Sequence, residues 1–483
     1  MASPPNFQLP VLPALEAPTV HVADAERSFR VTFTASAPPM ALSPTSISMA
    51  LKSPEGIDCH GNERQVLGEQ AKFFNNPLLS DVILVVGGER FYAHKLILVR
   101  SSDVFERMFS SEWSDSQTKE VELVEDSLCN SVFPRFLKFL YGCHIKLNID
   151  STLPVLILAD KYNVEDLRNV CINFACSYII PKLQLKDVFH VWFQYATKCY
   201  HVRLIAECVQ VLAEKMDDIT SSVEWQREWV NLEKEQLIQF LQNSDLNIKD
   251  EFDLWLAAVK WLQSTGHPQR AANFEDNLKE IMQFIRFPMM TSEQLCQVES
   301  HTVFQQHPEL FQKAFMLAYK YHALPLVKRA NVKEFMSSSF LLRNYSNLRW
   351  DKRFVVSQYS ACPKGAEVSF RFSTRASSFP PQTWEWELKV HPKGYSTNSD
   401  DFRVVLNSNV ILDQPRPIEY HLSVVDRNQI LHSVCGKKNF SKARYQTDTE
   451  MDKKVSVADL CQTDSPLLVN DNLILQIALK PVE

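Results

Sequence analysis

Apolar positions along this chain fall into three successive rhythms. In the first, Val82, Ile83, Leu84, Val85 and Val86 form an unbroken run, Gly87-Gly88 follows, and a second short strand is predicted over Arg90–Ala93. Beyond His94-Lys95 the spacing turns helical, with Leu96, Leu98, Val99, Phe105, Met108 and Phe109 apolar. Strand, glycine turn, strand and helix make a compact α+β opening. A short strand at Val121–Val124 is followed by helical stripes through Val132–Tyr141, Leu153–Tyr162 and Leu167–Tyr178.

The second rhythm is helical almost throughout. Stripes run through Val188/Trp192/Ala196, Leu204/Cys208/Val211/Met216, Leu232/Leu237/Phe240 and Phe252/Trp255/Val259/Leu262, and on through Ile281/Phe284/Ile285/Leu295. Asp250, Glu251 and Asp253 fall in a first helical turn, where carboxylates complement the helix dipole. An antiparallel helical array follows from such a series. Past residue 346 the period becomes two: Val368/Phe370/Phe372, Trp384/Trp386/Leu388/Val390, Phe402/Val404/Leu406, Ile418/Tyr420/Leu422/Val424 and Leu473/Leu475/Ile477/Leu479. Alternating strands with polar outward faces predict an antiparallel β-sandwich. The organisation expected is a Pro/Ser/Thr-rich flexible arm over 1–67, with order beginning near Glu69. An α+β domain over 68–180, a helical array over 181–325, a linker over 326–345 and a β-sandwich over 346–483 complete it.

Composition narrows the chemistry. The 483 residues carry 51 basic against 57 acidic side chains, a net charge of −6, so a nucleic-acid backbone is not expected as a partner. Only 10 glycines occur, and neither GxGxxG nor GxxxxGK[ST] is present, which argues against a nucleotide-driven enzyme. The 11 cysteines are odd in number, contain no CxxC and lie mostly in apolar stripes, so they read as buried thiols of a reducing compartment. Cys199, His201, Cys208, Cys171 and Cys176 lack the spacing of a four-ligand zinc knuckle, and no metal or cofactor is expected. Trp225, Trp229, Trp255 and Trp261 read as core. The Pro-interrupted N-terminus lacks a signal-peptide pattern, and no membrane span is expected, so a cytoplasmic protein is anticipated. The sequons Asn344-Tyr345-Ser346 and Asn439-Phe440-Ser441 keep a secreted alternative open.

LLSDVILVV, FYAHKLILVRSSDVFERMF, VFPRFLKFLYG and LILADKYNVEDLR, in this order between about 71 and 178, resemble the BTB/POZ domain. LEKEQLIQFLQNSDLNIKDEFDLWLAAVKWLQ and IRFPMMTSEQL resemble the BACK domain. WEWELKVHPKGY, FRVVL and IEYHLSVVDRN are similar to a MATH/TRAF-like sandwich. The resemblance implies a non-enzymatic adaptor, a homodimer or larger oligomer that grips a cullin-3 scaffold and delivers an unidentified protein target to a ubiquitin ligase. It also leaves room for an oligomeric scaffold or secreted glycoprotein with no ubiquitin role.

By the same resemblance the cullin contact follows the helix ending in Met108-Phe109, with Trp113 as apolar anchor and Asp115 in place of the usual Glu, framed by Tyr141. Asp81, His94 and Lys95 correspond to a structural pocket that positions a helix N-terminus. Trp384, Trp386, Tyr395 and Phe402 are candidates for a partner groove on the sandwich, although the alternation of Trp384 and Trp386 with Leu388 also suits core packing.

Overall fold

The computed structural model describes residues 61–110, 119–378, 381–396, 401–408, 417–440, 446–448 and 451–482, with a two-residue antiparallel pairing of Val31–Thr32 and Asp58–Cys59. Trp113 and Asp115 lie outside the described residues. Two compact units result, one ending at Ile179 and one running from Ile180.

In the first unit order begins earlier than Glu69, because Asn62 caps a helix α1 (Glu63–Gln70) by accepting the Gln65 amide at 3.2 Å. Strands β1 (Val82–Val86) and β2 (Glu89–Ala93) form a hairpin, and β3 (Glu120–Leu123) adds to β1 in parallel, giving the order β2-β1-β3. Gly87 and Gly88 have φ of 57° and 85°, the two positive angles that a two-residue hairpin turn requires. Helices α2 (Lys95–Ser101), α3 (Asp103–Phe109), α4 (Ser127–Gly142), α5 (Ile149–Lys161) and α6 (Glu165–Phe174) complete the unit. Asp126 and Asn148 cap α4 and α5, which is why both start several residues before their apolar stripes. Val132, Phe133, Phe136, Leu137 and Leu140 share the buried face of α4, and Phe105 stacks on Tyr162 with centroids 4.7 Å apart.

The second unit opens with short helical turns and α7 (Val202–Ala213), then α8 (Lys234–Gln242), strand β4 (Asn247–Ile248), α9 (Glu251–Leu262), α10 (Phe274–Met282), α11 (Ser292–Glu299), α12 (Pro308–Ala323) and α13 (Leu326–Arg329). Trp225, Trp229, Trp255 and Trp261 are buried in the core. The Trp229 and Trp261 indoles donate to the Ala257 and Leu232 carbonyls at 2.8 Å each. Arg270 lies 3.7 Å above the Trp261 ring. The chain continues through β5 (Asn344–Tyr345), β6 (Asp351–Val356), β7 (Val368–Ser378), β8 (Pro381–His391), β9 (Arg403–Ser408), β10 (Pro417–Val425), β11 (Ile430–Asn439), β12 (Gln446–Asp448) and β13 (Leu473–Pro481).

Two four-stranded antiparallel sheets, β12-β9-β8-β7 and β11-β10-β13-β6, enclose one apolar core. The alternating residues supply it: Trp384, Trp386, Leu388 and Val390 from one sheet, and Tyr420, Leu422, Leu475 and Ile477 from the other.

Residues 326–345 are not a linker in the mechanical sense. Phe335, Phe340, Leu341, Leu342, Arg343 and Tyr345 are all buried. They cover the outward face of the β11-β10-β13-β6 sheet, so its outward residues His421, Ser423, Val425, Ile474 and Gln476 are buried as well. Gln476 binds this segment twice, accepting the Leu342 amide at 3.0 Å and donating to the Phe340 carbonyl at 3.2 Å. The opposite sheet keeps a wet outer face, where Arg371 is exposed beside Glu387.

Candidate partner-binding surfaces

In the first unit, β2 delivers His94 to the start of α2 in a pocket closed by Phe73, Leu78 and Tyr141. The Tyr141 hydroxyl accepts the His94 backbone amide at 3.0 Å and meets its Nδ1 at 2.8 Å, while Nε2 faces the Leu78 carbonyl at 2.8 Å. Every group is satisfied when Nε2–H donates to the Leu78 carbonyl and the Tyr141 hydroxyl donates to Nδ1. Burial pushes the Tyr141 hydroxyl up to about 12, which keeps that donor protonated. Asp81 is exposed, and its carboxylate accepts the Lys95 amide at 2.7 Å, capping α2. The Lys95 ammonium lies 5.2 Å above the Phe109 ring. These contacts hold the start of α2 against the hairpin.

Tyr141 does not lie where the resemblance implied. It is fully buried with its hydroxyl engaged by His94, so it cannot frame an external groove. It acts on any surface only by holding α2 in place. Met108 and Phe109 are half-buried at the end of α3, Phe109 stacking on Phe105.

Around the pocket mouth the unit exposes apolar side chains: Leu78, Leu79, Tyr92 and Leu96, with Leu79 and Leu96 about four-fifths accessible. Leu79 also holds φ at 61°, a left-handed conformation that costs a residue with a Cβ roughly 1–2 kcal/mol. A strained leucine pointing into water has no use inside this unit.

The second unit contains a buried ionic junction that the sequence reading missed. Glu251, in the first turn of α9, is wholly buried, not a solvated dipole partner. One carboxylate oxygen accepts the Arg286 amide at 2.8 Å. The other accepts Arg343 Nε at 3.1 Å and the Tyr345 hydroxyl at 2.8 Å. Arg343 is equally buried and further donates to the carbonyls of Leu241, Asn243 and Phe284. The Arg286 guanidinium donates to the Leu341 carbonyl and to Ser244.

Burial alone would raise the Glu251 carboxyl, but Arg343 and Arg286 hold it below its ordinary value. Burial, with Arg343 adjacent, pulls Arg286 down to about 9, still protonated at neutral pH. Strands β4 and β5 pair in parallel beside this cluster, and Arg353 binds Asp245 at 2.7 Å. Helical array and sandwich are thus joined by main-chain pairing and by charges that water cannot reach. The available signal was Arg343 itself, a lone charge among Phe340, Leu341, Leu342 and Tyr345.

Three of the four groove candidates on the sandwich are core. Trp384 and Trp386 stack at 4.8 Å and are 1% exposed, their indoles bound to Ser408 and Thr374, and Phe402 is fully buried. Alternation placed them on the inner face with Leu388. Tyr395 alone is exposed, packed edge-on against His391 and lying under Arg403.

Comparison with known proteins agrees with this architecture. The BTB/POZ domain model matches residues 71–179, and the model described as BTB And C-terminal Kelch matches 189–299. The chain is 24% identical over 410 residues to BTB/POZ domain-containing protein 17 of Xenopus laevis, covering 81% of this chain and 83% of that protein. Against the mouse protein of the same name identity is 28% over 284 residues, and the chain spans about half of that relative, 55% of its length. Kelch-like protein 7 of Gallus gallus is 26% identical over 263 residues, 53% of this chain and 41% of that one. The chain therefore carries a BTB/POZ domain followed by a BACK domain.

Proposed function

We propose that this BTB/POZ–BACK protein is a substrate-recruiting subunit of a cullin-3 ubiquitin ligase, working in the cytoplasm as a dimer. The observation that carries the reading is the order of modules, BTB/POZ then BACK, shared with Kelch-like relatives. BTB–BACK proteins of the Kelch-like type serve in general as cullin-3 adaptors. The exposed apolar group Leu78, Leu79, Tyr92 and Leu96 is the face assigned to dimerisation, since burying it in a second copy removes apolar surface from water. Met108 and Phe109, with Trp113 and Asp115 beyond them, are assigned to cullin.

The C-terminal module is read as MATH/TRAF-like and as the part that selects the target. What favours this over a propeller is that its two sheets share one core instead of forming radial blades. Chemistry then occurs on the recruited enzymes, and the adaptor supplies effective concentration.

The secreted-glycoprotein alternative is weakened by Asn344. Its side-chain amide donates to the Asp245 carbonyl at 3.1 Å within the β4–β5 junction, where a glycan would break the pairing. Among the described residues no disulfide joins the cysteines, which suits a reducing compartment. Titration calorimetry of the full chain with the cullin-3 N-terminal region tests the main reading. Binding that is lost in Trp113→Ala is expected, and no heat with wild-type protein defeats it. A mobility shift after glycosidase treatment of native material would favour the alternative.

A further inference from the structure

Between the helical array and the β6 end of the sandwich lies an open cleft of about 810 Å³. This is within the volume that ligand sites occupy, roughly 300–1,000 Å³. Leu348, Trp350, Pro481 and Val482 supply accessible apolar lining. Four cationic side chains, Arg329, Arg349, Arg375 and Lys480, line it against two carboxylates, Asp250 and Asp351.

Those carboxylates are already committed. Asp250 caps α9 and accepts from Gln294 and Asn347 at 2.9 and 2.8 Å. Asp351 takes both contacts of Arg349, at 2.6 and 3.0 Å. Lys480 sits opposite Glu419 in the β10–β13 ladder. Arg329 and Arg375 are left with positive charge that no carboxylate among the described residues balances. Arg329 lies 4.0 Å above the Tyr321 ring and donates to the Leu324 carbonyl. Arg375 is exposed at the cleft mouth, and among the described residues its guanidinium has no partner.

We infer that this cleft is a receptor site for an extended acidic segment of a partner protein, an aliphatic side chain seated on the apolar lining and flanking Asp or Glu residues paired with Arg329 and Arg375. The inference deepens the adaptor reading by assigning the chemistry of its target. The site is positive in a chain whose net charge is −6, so attraction is local to the cleft and a long polyanion is repelled elsewhere. Arginine pairs with carboxylates in two-pronged geometry, and a partly desolvated cleft strengthens that pairing.

The test is selection of a random peptide library on the full chain, run in parallel on wild type, Arg375→Lys and Arg375→Glu. Wild type is expected to enrich peptides with Asp or Glu around an aliphatic residue. Their affinity should fall about tenfold or more in Arg375→Glu, survive in Arg375→Lys and weaken as salt rises. Arg375 is exposed, so the variants should fold, and an unchanged thermal midpoint checks this. No enrichment on wild type overturns the inference. So does equal capture by Arg375→Glu, or preferential binding of a short single-stranded oligonucleotide. Cullin titration of the same preparations separates the two readings: peptide capture by a chain that binds no cullin removes the ligase role and leaves the cleft assignment standing.

Discussion

The two sheets of the C-terminal sandwich are written in the same alternating code and live in different surroundings. On β7 and β8 the outward positions are Arg371, Ser373, Glu385 and Glu387, which pair across strands in water. On β10 and β13 the outward positions are His421, Ser423 and Gln476, and all three are buried beneath residues 326–345. Alternation tells which side chains share a face. It does not tell whether that face is wet. A polar residue under a cover must find a partner or remain a liability, and Gln476 and the Glu251–Arg343 junction show how this chain provides partners.

The largest way to break that contrast is at the junction. Glu251→Gln leaves Arg343 and Arg286 buried without their anion, and loss of about 3–5 kcal/mol is expected in urea unfolding of the full chain. On the wet sheet, Arg371→Ala should stay within about 0.5 kcal/mol of wild type.

Acid should separate the sheets next. Burial, helped by the positive charge of Arg329, lowers His421 to about 4 from an ordinary value near 6.5. The folded state favours the neutral ring, so this stabilisation is complete above pH 6.5 and is lost as pH falls through 4. The amount is about 3 kcal/mol, and His421→Gln should flatten that window in pH-dependent melting curves relative to wild type. Gln476→Leu, which strands the Leu342 amide and the Phe340 carbonyl, should cost about 1–3 kcal/mol. A smaller effect than those at the covered sheet is expected in the first unit, where Tyr141→Phe removes a hydroxyl from the His94 pocket. About 1–2 kcal/mol should be lost there, read by hydrogen exchange at the start of α2.

Much of this fold was legible because its elements obey local rules. Gly87-Gly88 announced the first hairpin, and Trp384, Trp386 and Leu388 announced an inner face. What escaped was set by distant contacts. Strand β11 was overlooked because Ile430–Asn439 lies at a sheet edge, where its half-buried residues show no clean alternation. Residues 326–345 looked like a connector because a segment that wedges between two modules has no period of its own. Glu251 read only as a first-turn carboxylate because its partners, Arg286 and Arg343, are 35 and 92 positions away. The pocket of Asp81, His94 and Lys95 was visible through resemblance, whereas Tyr141 was misplaced because a buried tyrosine and a groove tyrosine look alike in one dimension.

An adaptor must bridge other macromolecules. Mass measurement of the full-length protein mixed with the cullin-3 N-terminal region addresses that most directly. A particle in which a dimer of this chain carries cullin is the predicted result. A chain that stays a lone monomer, with cullin free beside it at concentrations well above those in the cell, would contradict it.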